Sequence, residues 1–332
     1  LRDVVKQDTN HIDAYLQMGD ILREEGNAEA AIKIHQSLTV RPNLSNEIKR
    51  EIHKSLALDF EQVNQLASFS LDCIFVTTPP SSHLPVVREI YSQGLARGIF
   101  VEKPLASSFE EAKELCDLAA LHGGLNVVGY HKRFSLIFKQ AAKAISDGVL
   151  GEITKFGGHA YSSDFVGAES SPNMSWARGG VLRDLGCHVI DTALWIFGDL
   201  QTIPESEKLN NLPESPALEM GFELATPNGV RGQFEVSSVK EEYRLPQIQL
   251  FAEGTKGKLL VDDDRLQLSG ETGGSWHRHD FDDQAHFLLG DPEYSREDRS
   301  FINSFLSGEA GVPSFENGAK VEQIIDEIQG RI

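Results

Sequence analysis

Of the 29 glycines in this 332-residue chain, no two stand two positions apart, so the fingerprint G-x-G-x-x-G occurs nowhere in it. That spacing opens the helix whose amino end holds a pyrophosphate in a dinucleotide-binding domain. Gly123-Gly124 precedes an apolar run instead of following one, and Gly157-Gly158 lacks a third glycine. Cysteine is scarce as well. Cys73, Cys116 and Cys187 show no C-x-x-C spacing, which argues against a structural zinc site and suits a reducing compartment. Basic residues number 31 against 50 acidic ones, and a net charge of −19 argues against nucleic acid or an anionic membrane as partner. No apolar run approaches the roughly 18 to 20 residues of a membrane span. Leu1 stands first and no signal-peptide pattern follows, so the chain reads as starting part-way through a longer gene, with the cytoplasm as its expected location.

What is present is globular: 40% hydrophobic and 24% charged residues, over a length that suits two domains or three small ones. Residues 1–59 read as helices only. In "HIDAYLQMGDILREEGNAEAAIKIHQSL" the apolar positions recur at helical spacing, Gly26-Asn27 separates two helices of a hairpin, and Pro42 closes the second. Tyr15, Met18, Gly19, Leu22, Gly26 and Ala31 sit where a tetratricopeptide repeat places its packing residues. The wording resembles the early repeats of lipopolysaccharide assembly protein B, over about one and a half repeats; any amphipathic helical hairpin would read similarly.

From residue 70 the period changes. "LDCIFV", "GIFVEKP" and "LNVVGY" are apolar runs separated by the helical stretches His83–Gln93 and Phe109–His122. Strand and helix alternating at this spacing predict a parallel sheet with crossover helices. A helix over Phe138–Ser146 follows. "ALEMGFEL", "VRGQFEVSS", "PQIQLFAEG" and "GKLLVDDDRLQLSG" then alternate with period two, which predicts an antiparallel sheet with one covered face. The polar stretch from Gly270 to Pro292 shows no pattern, and helices are expected over Arg296–Leu306 and Gly318–Gln329. The expected fold is thus α/β plus α+β. A helical segment (1–59) precedes a partial doubly wound sheet (60–130) and an antiparallel-sheet domain with helices (131–332).

Three motifs carry chemistry. "VTTPPSSH" runs from a strand into a turn and a helix, which places Thr77, Thr78, Pro79 and His83 at the carboxyl end of a parallel sheet, where ligands bind. "VEKP" places Glu102 and Lys103 at the end of the next strand. "RGGVLRDLGCHVID" spaces Asp184 and His188 four apart at a helix start, on one face. Singly, each has an ordinary reading as a turn, a solvated pair or a cap. Together, in this order and ahead of an antiparallel domain, they form a specific combination.

The combination resembles the glucose-fructose oxidoreductase / inositol dehydrogenase / rhizopine catabolism (Gfo/Idh/MocA) family over roughly residues 60–330. "GYHKRFS", "SDGVLGEI" and Trp176 ahead of "GGVLRDLGCH" add to the likeness. The resemblance implies NAD or NADP as cofactor, a sugar, cyclitol or similar polyol as substrate, and Lys103, Asp184 and His188 as the catalytic set. A histidine titrating near neutrality suits proton removal from an alcohol, so His188 is the expected base, with Asp184 orienting it or stabilising its charged form. Lys103 is expected to hydrogen-bond the same oxygen and stabilise developing alkoxide charge. Glu102, Lys103 and the Thr77–His83 turn, with Arg133, are expected to line the cofactor; His131, Trp176, Asp184 and His188 are expected to line the substrate. A homo-oligomer through the face of the C-terminal sheet is implied in the same way.

In a six-strand order 3-2-1-4-5-6 the three apolar runs correspond to strands 4, 5 and 6, and strands 1 to 3 should precede residue 70. One βαβ unit takes roughly 30 residues, so the helices of the first 60 residues read as replacing the nucleotide half, with a seam near Leu58–Glu61. On that reading strand 4 becomes an exposed edge and NAD(P) binding is weak, so the oxidoreductase is impaired. Two rival classes stand beside the enzyme: a protein-interaction module whose partner docks on the N-terminal helices, and a chimeric chain without selected function. "SWHRHDFDDQAH" holds three histidines and three aspartates but matches no ligand spacing, so no metal site is expected.

Overall fold

The computed structural model describes residues 11–39, 71–163, 166, 179–203, 218–243, 245–271, 273–281 and 292–330. Trp176, the seam near 58–61 and the histidine at 286 lie outside these residues. The chain divides into two compact units, Leu1–Asp72 with Ile90–Ala96, and Cys73–Glu89 with Arg97–Ile332.

In the first unit, α1 (Ile12–Glu24) and α2 (Ala28–Thr39) form the hairpin. His11 starts α1 by accepting the Ala14 N–H on Nδ1 at 3.2 Å. Gly26, at φ +81°, turns the chain, and the Asn27 carboxamide oxygen starts α2 by accepting the Ala30 N–H at 3.2 Å. The helices meet at Gly19, where a Cβ would come within 2.3 Å of the His35 ring. His35 is fully buried, its Nε2 3.1 Å from the Leu16 carbonyl, and Ala14, Ala31 and Leu38 of the same two helices are buried as well.

The second unit holds two sheets. The smaller has three parallel strands in the order β1 (Cys73–Val76), β2 (Gly98–Glu102), β3 (Leu125–Gly129). β2 is apolar on both faces and buried from Gly98 to Val101, as a central parallel strand must be. The crossover helices are α3 (Pro80–Gln93) and α4 (Phe109–His122). Ser108 caps α4, accepting the Glu111 N–H at 3.2 Å. Phe75, Phe100 and Val127 share one face. Among the described residues β1 is an edge strand, and its Phe75 is 41% exposed.

A 3-10 turn (His131–Phe134) and α5 (Leu136–Ser146) lead into the larger sheet. Its order is β11-β10-β9-β8-β4-β7-β6-β5, with β4 (Ile153–Tyr161), β5 (Gln201–Thr202), β6 (Glu219–Ala225), β7 (Arg231–Ser237), β8 (Gln247–Gly254), β9 (Gly257–Asp262), β10 (Arg265–Gly270) and β11 (Gly274–His277). Two expectations are corrected here. The sheet is mixed rather than antiparallel, because β4 pairs with β7 in parallel; its run "ITKFGGHAY" is broken by two glycines and hides its alternation. The stretch after Gly270 also carries structure, namely β11 and a 3-10 turn (Arg278–Phe281). Phe156, Phe222, Phe234, Val236 and Leu250 point to the covered face, against α6 (Cys187–Phe197).

The last two helices, α7 (Pro292–Ser307) and α8 (Phe315–Ile328), return to the small sheet. Phe301 of α7 stands edge-on to Phe75 and Phe100 at 5.0 and 5.7 Å. α8 packs on α4 and α6, and the Pro313 carbonyl takes the Val128 N–H at 2.9 Å. α7 begins four residues earlier than the sequence suggests, with Pro292 at its first position, where a missing N–H costs nothing. Those four residues matter to the site.

Candidate active site

Lys103 follows β2 directly, so the strand delivers its side chain at the carboxyl edge of the parallel sheet. Its ammonium donates to the Asp184 carbonyl at 2.8 Å and lies 3.3 Å from the Asp184 carboxylate. Asp184 sits in a π-helical turn, Leu182–Gly186, that runs into α6. Such widened turns recur at functional sites. The turn is pinned from behind by Arg183, 2% exposed, which pairs with Glu322 and, at 2.6 Å, with Asp326, both on α8.

His188 lies in the first turn of α6, buried. Its ring meets His131 at 5.0 Å and Tyr130 at 6.5 Å, edge to face in both cases. Among the described residues His188 Nδ1 is buried with no hydrogen-bond partner, so the packing of its neighbours holds the ring. The carboxylate expected to orient it is paired with Lys103 instead. On its other side His131 stacks on Tyr294 of α7, 4.6 Å between centroids and 22° between planes.

The charges follow from this packing. Burial opposes the Lys103 ammonium, but the Cys187 sulfur, Asp184 and Glu102 outweigh it and hold its pKa above the ordinary lysine value. Cys187 is itself pushed up to about 12 by burial, so it is neutral at neutral pH and the two carboxylates carry the attraction. His188 is held well below the usual histidine value by burial, and further by Lys103, His131 and Lys132. His131 is lowered in the same way by burial, Lys132 and Lys103. The centre therefore combines two neutral imidazoles with the fixed charges of Lys103 and Lys132.

Other expected residues are placed less simply. Glu102 accepts the Lys103 backbone N–H at 3.1 Å, and burial raises its pKa. Thr77 is exposed, while the Thr78 hydroxyl accepts from Ser82 at 2.8 Å and steadies the start of α3. Pro79 is half-buried ahead of that helix. His83 is fully buried, with Nε2 2.7 Å from the Thr78 carbonyl and Nδ1 3.1 Å from the Leu105 carbonyl. It ties the turn after β1 to the loop after β2. Arg133 is engaged in a two-pronged pair with Asp191, at 2.7 to 3.2 Å. His277, the last residue of β11, and His279, in the 3-10 turn that follows, stack on each other at the surface.

Sequence reasoning missed Tyr294, Glu293, Glu297, Lys132 and Arg183. Lys132 is buried between Asp263 at 2.8 Å and Glu293 at 3.1 Å, joining the 3-10 turn to α7 and to the β9–β10 turn. The one available signal was the spacing Glu293-Tyr294-Glu297 at i, i+1, i+4, which reads as one helix face once the helix starts at Pro292.

A family model for an oxidoreductase family with an NAD-binding Rossmann fold matches residues 10–130, and one for the GFO/IDH/MocA C-terminal domain matches residues 138–260. The first match begins at residue 10 and takes in the helical hairpin. Levoglucosan dehydrogenase of Pseudarthrobacter phenanthrenivorans is 29% identical over 191 residues, 55% of this chain and 47% of its own. Inositol 2-dehydrogenase of Rhizobium meliloti is 24% identical over 273 residues, 78% of each chain. The chain spans half or less of several curated relatives: 41% and 50% of two uncharacterised oxidoreductases of Schizosaccharomyces pombe and 29% of a D-glucoside 3-dehydrogenase of Escherichia coli. Among solved structures, levoglucosan dehydrogenase in complex with NADH and levoglucosan superposes with a TM-score of 0.67 at 20% identity, over 86% of this chain and 85% of that one. An inositol dehydrogenase homologue of Azotobacter vinelandii, complexed with NADH and myo-inositol, does so with a TM-score of 0.67 at 18% identity, over 84% and 81%. At these identities the superpositions show a shared fold. With two models of one family matched in chain order across both halves, the chain belongs to the Gfo/Idh/MocA oxidoreductases, a family whose Rossmann domain binds NAD.

Proposed function

We propose that the chain oxidises a hydroxyl group of a sugar, cyclitol or related polyol by hydride transfer to NAD or NADP. The observation that carries this reading is the Lys103–Asp184 pair beside a neutral His188 at the carboxyl edge of the parallel sheet. Asp184 keeps Lys103 charged, and the ammonium hydrogen-bonds the substrate oxygen and favours it as it turns negative. His188, neutral and within the same cluster, takes the hydroxyl proton. Tyr294 and His131 form a stacked wall against which a sugar ring can pack. The bound nicotinamide supplies the hydride acceptor.

The residues fit the cofactor unequally. Lys103, Glu102 and the turn after β1 offer a nicotinamide end. The sequence offers no glycine fingerprint for the pyrophosphate, and the Arg133 guanidinium is already paired with Asp191. We therefore expect NAD(H) to bind more weakly than micromolar, with turnover limited accordingly; calorimetric titration giving micromolar binding would overturn that part. On the other face of the large sheet His159 stacks on Tyr161 at 4.0 Å, and Tyr243, from the turn between β7 and β8, stands edge-on to Tyr161 at 5.0 Å; this aromatic group supports pairing of two copies through this face.

The test is NADH formation with levoglucosan, myo-inositol and simple glucosides at high cofactor. Lys103→Met and His188→Ala should each lower the rate by roughly 10²- to 10³-fold, the loss typical of removing one electrostatic or proton-transferring group. Variants that keep the wild-type rate would refute the assignment.

A further inference from the structure

We infer that Arg183 is a positioning residue for the Lys103–Asp184 pair, acting through the carboxylates of α8. Arg183 precedes Asp184 in the π-helical turn, but its side chain runs the opposite way, into the protein. One guanidinium nitrogen pairs with Glu322 and the other with Asp326 at 2.6 Å. The second Asp326 oxygen accepts the Phe109 N–H at 2.7 Å, at the start of α4. Three elements therefore fix one guanidinium: the turn, α8 and α4. Gly179, at φ +84°, makes room for it, since a Cβ there would come within 2.7 Å of Arg183 Cδ.

The physical reason to build this clamp lies one residue on. A π-turn bonds i to i+5 and is intrinsically a poor helix, so left to itself it would relax toward α-helical geometry. That relaxation moves Asp184, whose carbonyl and carboxylate both meet the Lys103 ammonium. The buried guanidinium and its two carboxylates are costly to desolvate, and such networks give geometric definition more readily than net stability. Here what they define is the height of Asp184 over Lys103. With the clamp released, Asp184 withdraws, burial dominates, and the Lys103 pKa falls.

The test reads the lysine itself, by the rate of acetylation of Lys103 in the full chain, with acetic anhydride and peptide mass analysis. Lys143 and Lys258, with 66% and 64% exposed side chains, serve as internal references. In the wild type Lys103 reacts slowly against both. Arg183→Met should raise the Lys103 rate relative to the references by about tenfold, the change in free amine for each pKa unit lost. Arg183→Lys should fall between the two. Asp326→Asn and Glu322→Gln each weaken one arm, should give a smaller rise, and carry the test if Arg183→Met does not fold. A purely structural role would lower the melting temperature and raise all three lysines together. Folded variants in which the Lys103 rate stays at its wild-type ratio would overturn the inference. It rests on Lys103 and Asp184 being the reacting pair of the proposed oxidoreductase, yet the labelling stands or fails whether or not any sugar is oxidised.

Discussion

Glu297 lies on α7 one turn beyond Glu293 and Tyr294, only 1% exposed, with Oε1 buried and unpartnered among the described residues. Burial first, then Glu102, Asp298, Asp191 and Glu293, push its carboxyl from 4.5 up to about 9. In the folded protein at neutral pH it is therefore a neutral acid, whereas in the unfolded chain it ionises as an ordinary glutamate. A group whose folded pKa is raised favours folding fully below its unfolded pKa and loses that contribution as pH climbs toward the folded value. The window here runs from about 4.5 to about 9. Each unit inside it costs about 1.4 kcal/mol, so at pH 7 the penalty is on the order of 3 kcal/mol, and near pH 9 roughly twice that. Glu297→Gln keeps size and hydrogen-bonding capacity but removes the proton. Urea unfolding at pH 5, 6, 7 and 8 should show the variant gaining on the wild type by about 1.4 kcal/mol per unit. Both proteins carry every other titrating group, so the difference isolates this one. Parallel stability curves, with a constant offset from pH 5 to 8, would refute the reasoning and mean that water or a charged partner already ionises Glu297.

Two further tests bear on the same region. Lys132→Met leaves Asp263 and Glu293 buried without their shared cation; Arg278, 3.4 Å from Glu293, offsets part of the loss. The expected cost is about 3 kcal/mol, the lower end for breaking a buried pair, and a loss below about 1 kcal/mol in urea unfolding would contradict the geometry. His188 is held well below 6.5 by burial, Lys103 and His131, so a proton-accepting role predicts a rate that stays level from pH 8 down through 6.5 and falls only below. An acid limb centred on 6.5 would remove His188 as the base.

Much of this architecture was legible because it is local. "GIFVE" is apolar at every position to Val101, which only a strand covered on both faces tolerates, and α4 begins at a serine with acidic residues in its first turn and ends before Gly123. The hairpin break at Gly26 is equally local. What escaped is set by partners far away in sequence. The parallel pairing of β4 with β7 joins strands some 75 residues apart, and no alternation within either reports its neighbour's direction. α7 began unseen because Pro292, Glu293 and Tyr294 look like loop residues until Glu293 is known to meet Lys132 and Tyr294 to meet His131.

The Asp184–His188 spacing shows where local rules stop. Four residues apart on an α-helix, the two side chains share a face, and that pattern pointed to a carboxylate orienting a histidine. The chain instead widens the turn around Asp184, and i→i+5 bonding removes the premise of the rule. Asp184 then reaches Lys103, 81 residues earlier, with two of its oxygens, while His188 packs between His131 and Tyr130 with Nδ1 unbonded. The charge of Lys103 still reaches His188, where it adds to burial in lowering the imidazole pKa. The lysine thus connects the two: Asp184 is among the groups that hold it charged, and its charge adds to burial, the larger cause, in holding the imidazole free of a proton. A carboxylate bonded to His188 would have had the opposite effect, raising its pKa. The widened turn, by giving Asp184 to Lys103 rather than to His188, therefore acts in the same direction as burial, which is the first cause of the neutral imidazole.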